Sequence, residues 1–142
     1  MNARMTMAAA ATALLFLSPY QIHAGDGGEP KEILDRHNAA FGAGDVEAML
    51  ADYAEDAVFI TPMGVFRGHD EIGTFFEGVL AEFAKPGAMF EVLQTEFDDN
   101  VAYFAWRAET ADNVYEIGGD TLVIADGKIA TQTLTLKAAP KQ

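Results

Sequence analysis

The sequence predicts an α+β domain: three N-terminal helices packed on a strongly curved antiparallel sheet, which forms a cone with an internal pocket. Three observations carry this. Apolar residues recur at three- and four-residue spacing up to about residue 84 and with a period of two after it. The later segments are separated by the turn sequences Asp98-Asp99-Asn100, Asp112-Asn113 and Asp126-Gly127, of the kind that join neighbouring antiparallel strands. Gly118-Gly119 interrupts the third long strand, where a sharply curving sheet needs a bulge.

Residues 1–24 stand apart. Arg4 sits near the start without any acid, residues 8–17 are small or apolar apart from Thr12, Ser18-Pro19 breaks the run, and Ile22-His23-Ala24 offers a small residue for cleavage. This is the layout of a secretory signal peptide. The apolar run is well short of the roughly 18–20 residues of a membrane span. The mature protein is therefore expected in the periplasm or secreted, without a membrane anchor. A polar linker at 25–29, the domain at 30–137 and a tail at 138–142 complete the expected organisation.

The first helix opens with Pro30, which suits a first turn. Ile33, Leu34, His37 and Phe41 share one face, and Gly42 and Gly44 end it. Asp45 is a good N-cap for a second helix, with Val46, Met49, Leu50 and Tyr53 at helical spacing. Residues 57–61 and 65–67 are strand-like, turned by Pro62 and Gly64. The longest helix is expected over about residues 69–84. Asp70 and Glu71 complement its N-terminal dipole, and Ile72, Phe75, Phe76, Val79, Leu80 and Phe83 form its apolar stripe. Pro86-Gly87 stops it. Long strands follow at 89–97, 101–110, 114–124 and 129–136.

Composition bounds the chemistry. The 142 residues are 50% hydrophobic, enough for a core without staples. The absence of Cys excludes disulfides, zinc thiolate sites and thiol nucleophiles. There are 22 acidic residues against 9 basic, and one of the nine is Arg4 of the leader. Such a charge repels phosphate backbones and anionic lipid, so no nucleic-acid partner is expected. Outside the leader, His37 and His69 lie on separate helices with no metal-ligand spacing. No metal and no cofactor are expected.

Strand parity picks out the candidate site. Asp120 shares a face with Leu122 and Ile124, which points it into the cone. A carboxyl there must be hydrogen-bonded or keep its proton. His37 lies on the apolar face of the first helix, where it is a candidate acid or base, or a core histidine with one partner. Trp106 and Phe104 share one face of their strand, while Arg107 and Glu109 share the other and suit cross-strand ion pairs. By the same parity Tyr103, Tyr115, Ile117 and Val123 should lie on the convex face. That uncovered face is expected to form a homodimer.

The helix corner, the strand–turn YAEDAVFITPMG at 53–64 and DTLVIADGKI at 120–129 resemble the nuclear transport factor 2-like superfamily, which includes ketosteroid isomerases and SnoaL-like polyketide cyclases. The resemblance spans roughly residues 32–136 and implies the same helix-covered cone. It places His37 where the steroid isomerases carry an oxyanion-donating Tyr, and Asp120 where they carry a protonated acid. Thr61 falls where they carry the proton-shuttling Asp, so steroid isomerisation is not expected. The functional expectation is an exported domain binding a small apolar ligand. His37, Thr61 and Asp120 would orient the ligand within walls of Phe59, Phe66, Trp106 and Leu122. One alternative is an isomerase, cyclase or hydratase acting on a small apolar carbonyl compound, with His37 and Asp120 as acid and base. Another is an assembly module whose cone is filled.

Overall fold

The computed structural model describes residues 28–142, so the expected signal peptide lies outside the described residues. Among these are three helices, α1 (Gly28–Ala43), α2 (Val46–Leu50) and α3 (Gly68–Phe83). The six strands are β1 (Tyr53–Thr61), β2 (Gly64–Arg67), β3 (Met89–Asp98), β4 (Val101–Glu109), β5 (Asn113–Ala125) and β6 (Lys128–Pro140). The strands form one sheet in the order β2-β1-β6-β5-β4-β3.

Local chemistry explains the corners. Gly44 at φ +68 ends α1, and its N–H bonds back to the Phe41 carbonyl at 3.0 Å. Asp45 caps α2, its Oδ1 accepting from the Ala48 N–H at 2.9 Å. At the start of α3, Glu71 reaches back to accept the Arg67 N–H at 2.7 Å. Asp126 and Gly127 both take positive φ, the geometry of a two-residue hairpin turn, and join β5 to β6.

The structure departs from the expected elements in three places. β1 begins at Tyr53 rather than near residue 57, because α2 ends after five residues and Tyr53 pairs with Ile129 of β6. Tyr53 is buried either way, so spacing alone did not separate helix from strand. The sheet is not wholly antiparallel: β1 runs parallel to β6. No hairpin joins these two, so turn geometry does not fix their direction. At the ends, α1 begins at Gly28 within the stretch read as linker, and β6 runs to Pro140 within the stretch read as tail, held by pairing with Asn113.

Bulges bend the sheet. On β5, Glu116 and Ile117 oppose the single residue Arg107 of β4; a second shift lies on β6, where Ala130 is the extra residue opposite the step from Val123 to Ile124. The first shift reverses the facing of everything before it on β5. Tyr115, expected on the convex face, therefore points into the concave side, where its hydroxyl meets Glu82 of α3. Beside the bulge, Gly118 lies under the Trp106 ring, and a Cβ there would fall 2.2 Å from the indole carbons. The core fills the concave side, from Ile33 and Leu34 of α1 through Ile72 and Phe76 of α3 to Phe104, Leu122, Ile124 and Ile129 of the sheet. Among the described residues no helix is long and apolar enough to cross a membrane.

Candidate functional site

Within the cone a cavity of about 110 Å³ remains between α1, α3 and the sheet. Its walls are mostly aromatic: Phe59 from β1, Phe75 and Phe76 from α3, and Phe104 and Trp106 from β4. Phe59 and Phe76 stack at 5.6 Å between ring centroids. The polar groups enter from both layers. Gln132 of β6 and Asp120 of β5 come from the sheet, and His37 comes from α1.

Asp120 is 4% exposed, and both its oxygens are engaged. Trp106 Nε1 donates to Oδ2 at 2.6 Å, and Gln132 Nε2 donates to Oδ1 at 2.7 Å. The Gln132 carbonyl accepts in turn from the Tyr53 hydroxyl. Burial pushes the Asp120 carboxyl up to about 6, against the opposing pull of the Trp106 and Gln132 hydrogen bonds. Above that value it is a carboxylate with spare acceptor capacity. It donates to an oxyanion only below it. Tyr53 keeps its proton, its phenol raised by burial and then by the charges of Asp120 and Asp52.

His37 is 3% exposed and sits edge-on to Tyr53 at 5.5 Å and Phe76 at 5.9 Å. Burial lowers it to about 4, so it is neutral at pH 7. Its Nδ1 is buried without a hydrogen-bond partner. The site thus pairs an apolar chamber with one buried acceptor carboxylate and one unpaired imidazole nitrogen.

The structure brings four of the expected residues, His37, Phe59, Trp106 and Asp120, to this one cavity. The other three lie off its lining. Leu122 has the expected facing but is wholly buried in the core, since parity gives the side of a strand and not its depth. Phe66 packs against Phe59 and Phe75 at 6.5 and 4.9 Å. Thr61 serves the β1–β2 turn: its hydroxyl accepts from the Met63 N–H and donates to the Gly64 carbonyl, both at 3.1 Å. His69 ties the start of α3 to the Tyr53 carbonyl at 3.0 Å. Among the described residues, no cluster of three His or acidic side chains could hold a metal ion.

Sequence reasoning missed Gln132 and Tyr53, the residues that complete the Asp120 network. A signal existed for the first. In residues 131–136, TQTLTL, the glutamine takes the parity of the leucines, and a polar side chain on an apolar parity needs a partner.

The SnoaL-like domain family matches residues 34–132 of the chain. No curated protein matches the sequence. Among solved structures, a nuclear transport factor 2-like protein of unknown function from Mesorhizobium loti is similar at 20% identity and a TM-score of 0.65, over 80% of this chain and 94% of that one. A SnoaL-like protein of unknown function from Burkholderia thailandensis is similar at 17% identity and 0.65, over 77% and 95%. A de novo designed protein with a curved β-sheet is similar at 15% identity and 0.66, over 77% and 85%. These likenesses concern the fold, and a designed chain shares it, so the fold alone specifies no reaction. With the match spanning most of its length, the chain belongs to the SnoaL-like domain family, and its fold is that of the nuclear transport factor 2-like proteins.

Proposed function

We propose that this protein is an exported small-molecule-binding domain whose cavity takes a small, mainly apolar ligand carrying a hydrogen-bond donor. The observation that supports this most is Asp120. A carboxylate held by Trp106 and Gln132 at the wall of an apolar chamber keeps lone pairs that only a guest or water can use. An engineered apolar cavity of about 150 Å³ admits benzene. A volume near 110 Å³ therefore suits a single ring or a short chain. Trp106 is the only tryptophan, so its indole N–H resonance reports directly on the site. Titration with cyclohexanol should move that resonance in a saturable way, and Asp120→Leu should abolish the saturation. No shift up to solubility would overturn the reading.

Steroid isomerisation lies outside this proposal. Thr61 is engaged in its turn, off the cavity lining, and the chamber is far below the ~300–1,000 Å³ that holds drug-sized ligands. Purified protein should leave an unsaturated ketosteroid unchanged, and turnover at an enzymatic rate would refute this. The alternative, an isomerase, cyclase or hydratase on a small carbonyl compound, is favoured by one feature: burial raises Asp120 to about 6 in the same cavity as neutral His37, the range of a working general base. It requires turnover that Asp120→Asn removes. Export rests on the leader pattern of residues 1–24. Intact mass of material recovered from outside the cytoplasm should give an N-terminus near Gly25; a mass retaining Met1 would count against it.

A further inference from the structure

Next to the inner cavity lies a larger one of about 460 Å³, open to the surface between the C-terminal ends of α1 and α3 and the start of β3. Asn38, Phe41, Phe83 and Phe90 line both. Three phenyl rings are therefore the wall between them. Their centroids lie 5.2 Å (Phe41–Phe83), 5.3 Å (Phe41–Phe90) and 6.3 Å (Phe83–Phe90) apart. They come from three different elements, each near an end: the last turn of α1, the last turn of α3 and the second residue of the edge strand β3. All three rings are only half-buried, unlike Phe59 and Phe76 deeper in the chamber.

We propose that the Phe41–Phe83–Phe90 wall is a movable partition, and that the ligand is a linear aliphatic molecule with an uncharged hydroxyl head. The head sits at Asp120 and the tail passes the partition into the outer groove. This rests on the inner-cavity reading above and extends it. Size supports the extension. The inner chamber alone is small, whereas the two spaces joined reach the range in which ligands are ordinarily enclosed. Lining supports it too: the groove side presents Leu80, Met89 and Val92, with Met89 63% and Val92 40% exposed. Charge and burial together limit the head. Asp120 accepts hydrogen bonds, a chain of net charge −13 repels a carboxylate or phosphate head, and an ammonium head would lose its hydration inside an apolar chamber. The half-buried rings have an open side into which a change of χ1 can carry them, which is what a partition needs.

The test uses the whole protein, the Trp106 indole resonance and two probes, cyclohexanol for the inner chamber and the alcohol series from 1-butanol to 1-octanol for the joined one. The dissociation constant should fall about three- to fourfold for each added CH₂. Val92→Gln is at an exposed strand position that tolerates the change. It should lower the 1-octanol affinity at least tenfold relative to cyclohexanol. Phe83→Leu should speed the association of 1-octanol more than that of cyclohexanol. If cyclohexanol binds and the alcohol series shows no gain with length, or the gain survives Val92→Gln, the partition proposal is overturned while the inner site stands. If 1-octanol binds equally well to Asp120→Leu, which leaves no acceptor at that position, the head is not at Asp120 and the proposal also fails. If neither probe moves the indole, both readings fall together.

Discussion

Asp120 and His37 are perturbed in opposite senses across nearly the same pH range. The folded Asp120 titrates at about 6 against an ordinary 3.8, so between those values the folded state holds a proton that the unfolded state has lost. Its contribution to stability therefore falls as pH rises from about 4 to 6. The folded His37 titrates at about 4 against 6.5, so the unfolded state binds the extra proton there, and its contribution rises with pH over about 4 to 6.5. Each effect amounts to roughly 3 kcal/mol at 1.36 kcal/mol per unit, and the two nearly cancel. Replacing one residue should expose the other. Relative to wild type, His37→Leu should gain stability as pH falls from 6.5 to 4, and Asp120→Leu should lose it. Urea melts at several pH values check this, and parallel profiles for all three proteins would show that neither burial has the stated effect. Asp120→Leu also removes a buried charge, so at pH 7 its melt should match or exceed wild type; a loss of several kcal/mol (the scale of a broken buried network) would show instead that the orphaned Trp106 and Gln132 donors outweigh the buried carboxylate.

At the scale of elements, two contacts hold the site in shape. The first is the close approach of β5 to the Trp106 ring. Gly118 has no positive φ that would require glycine; the requirement is space, since a Cβ would overlap the indole by more than 1 Å relative to ordinary contact. Gly118→Ala should destabilise by about 1–3 kcal/mol or more and displace the Trp106 N–H from Asp120. A denaturant melt unchanged within 0.5 kcal/mol (about the scatter of neutral substitutions) would contradict this. The second is the tie between the end of α3 and the β4–β5 hairpin. The Glu82 carboxylate accepts from Thr110 at 2.6 Å, Asn113 at 2.8 Å and the Tyr115 hydroxyl at 3.0 Å. Burial raises Glu82, but those three hydrogen bonds outweigh it and lower the group below its usual value. Its contribution is present above pH 4.5 and lost as pH falls through the lowered value. Glu82→Gln should cost about 1–2 kcal/mol at pH 7 and nothing in strong acid. This tie also explains the misjudged facing of Tyr115. The bulge that turns it inward was expected at Gly118-Gly119 and lies just before it, at Glu116, because glycines mark the neighbourhood of a bulge and not the extra residue, whereas Asp126-Gly127 fixes its turn to the residue.

For the whole molecule, the convex sheet face is the surface without a helical cover. Tyr103, Ile117 and Val123 lie there beside Thr121, Thr131 and Thr133, with Ile117 44% exposed. The ion pairs Arg107–Glu91 at 2.6 Å and Lys137–Glu116 at 2.5 Å border the same surface. An apolar centre with a charged rim is the pattern of a self-association surface, and we propose a homodimer through it. Sedimentation at tens of micromolar, roughly the range where a standard interface holds, should show a dimer in wild type and a monomer in Val123→Lys. A wild-type monomer at that concentration would remove the proposal. The Ile117 region is separated by the sheet from the Phe41–Phe83–Phe90 wall, so dimerisation should leave the cyclohexanol titration unaffected.

The sequence by itself determined what depends on neighbours along the chain. Helix faces follow from spacing, the capping by Asp45 and Gly44 from local hydrogen bonding, and the β5–β6 turn from the positive φ that Asp126-Gly127 can adopt. The inward facing of Asp120, Leu122 and Ile124 follows from parity within an uninterrupted run. Only the tertiary structure decided what depends on partners far apart in sequence. The parallel pairing of β1 with β6, the Tyr53–Gln132–Asp120–Trp106 chain and the contacts of Phe41, Phe83 and Phe90 each join residues from different elements, as far as 79 positions apart for Tyr53 and Gln132. Thr61 and Leu122 show the limit from the other side. Resemblance placed Thr61, and parity placed Leu122, at the pocket, but a local turn claimed the hydroxyl and the depth of the core claimed the leucine. Facing is a property of the strand, whereas exposure to a cavity is a property of everything packed around it.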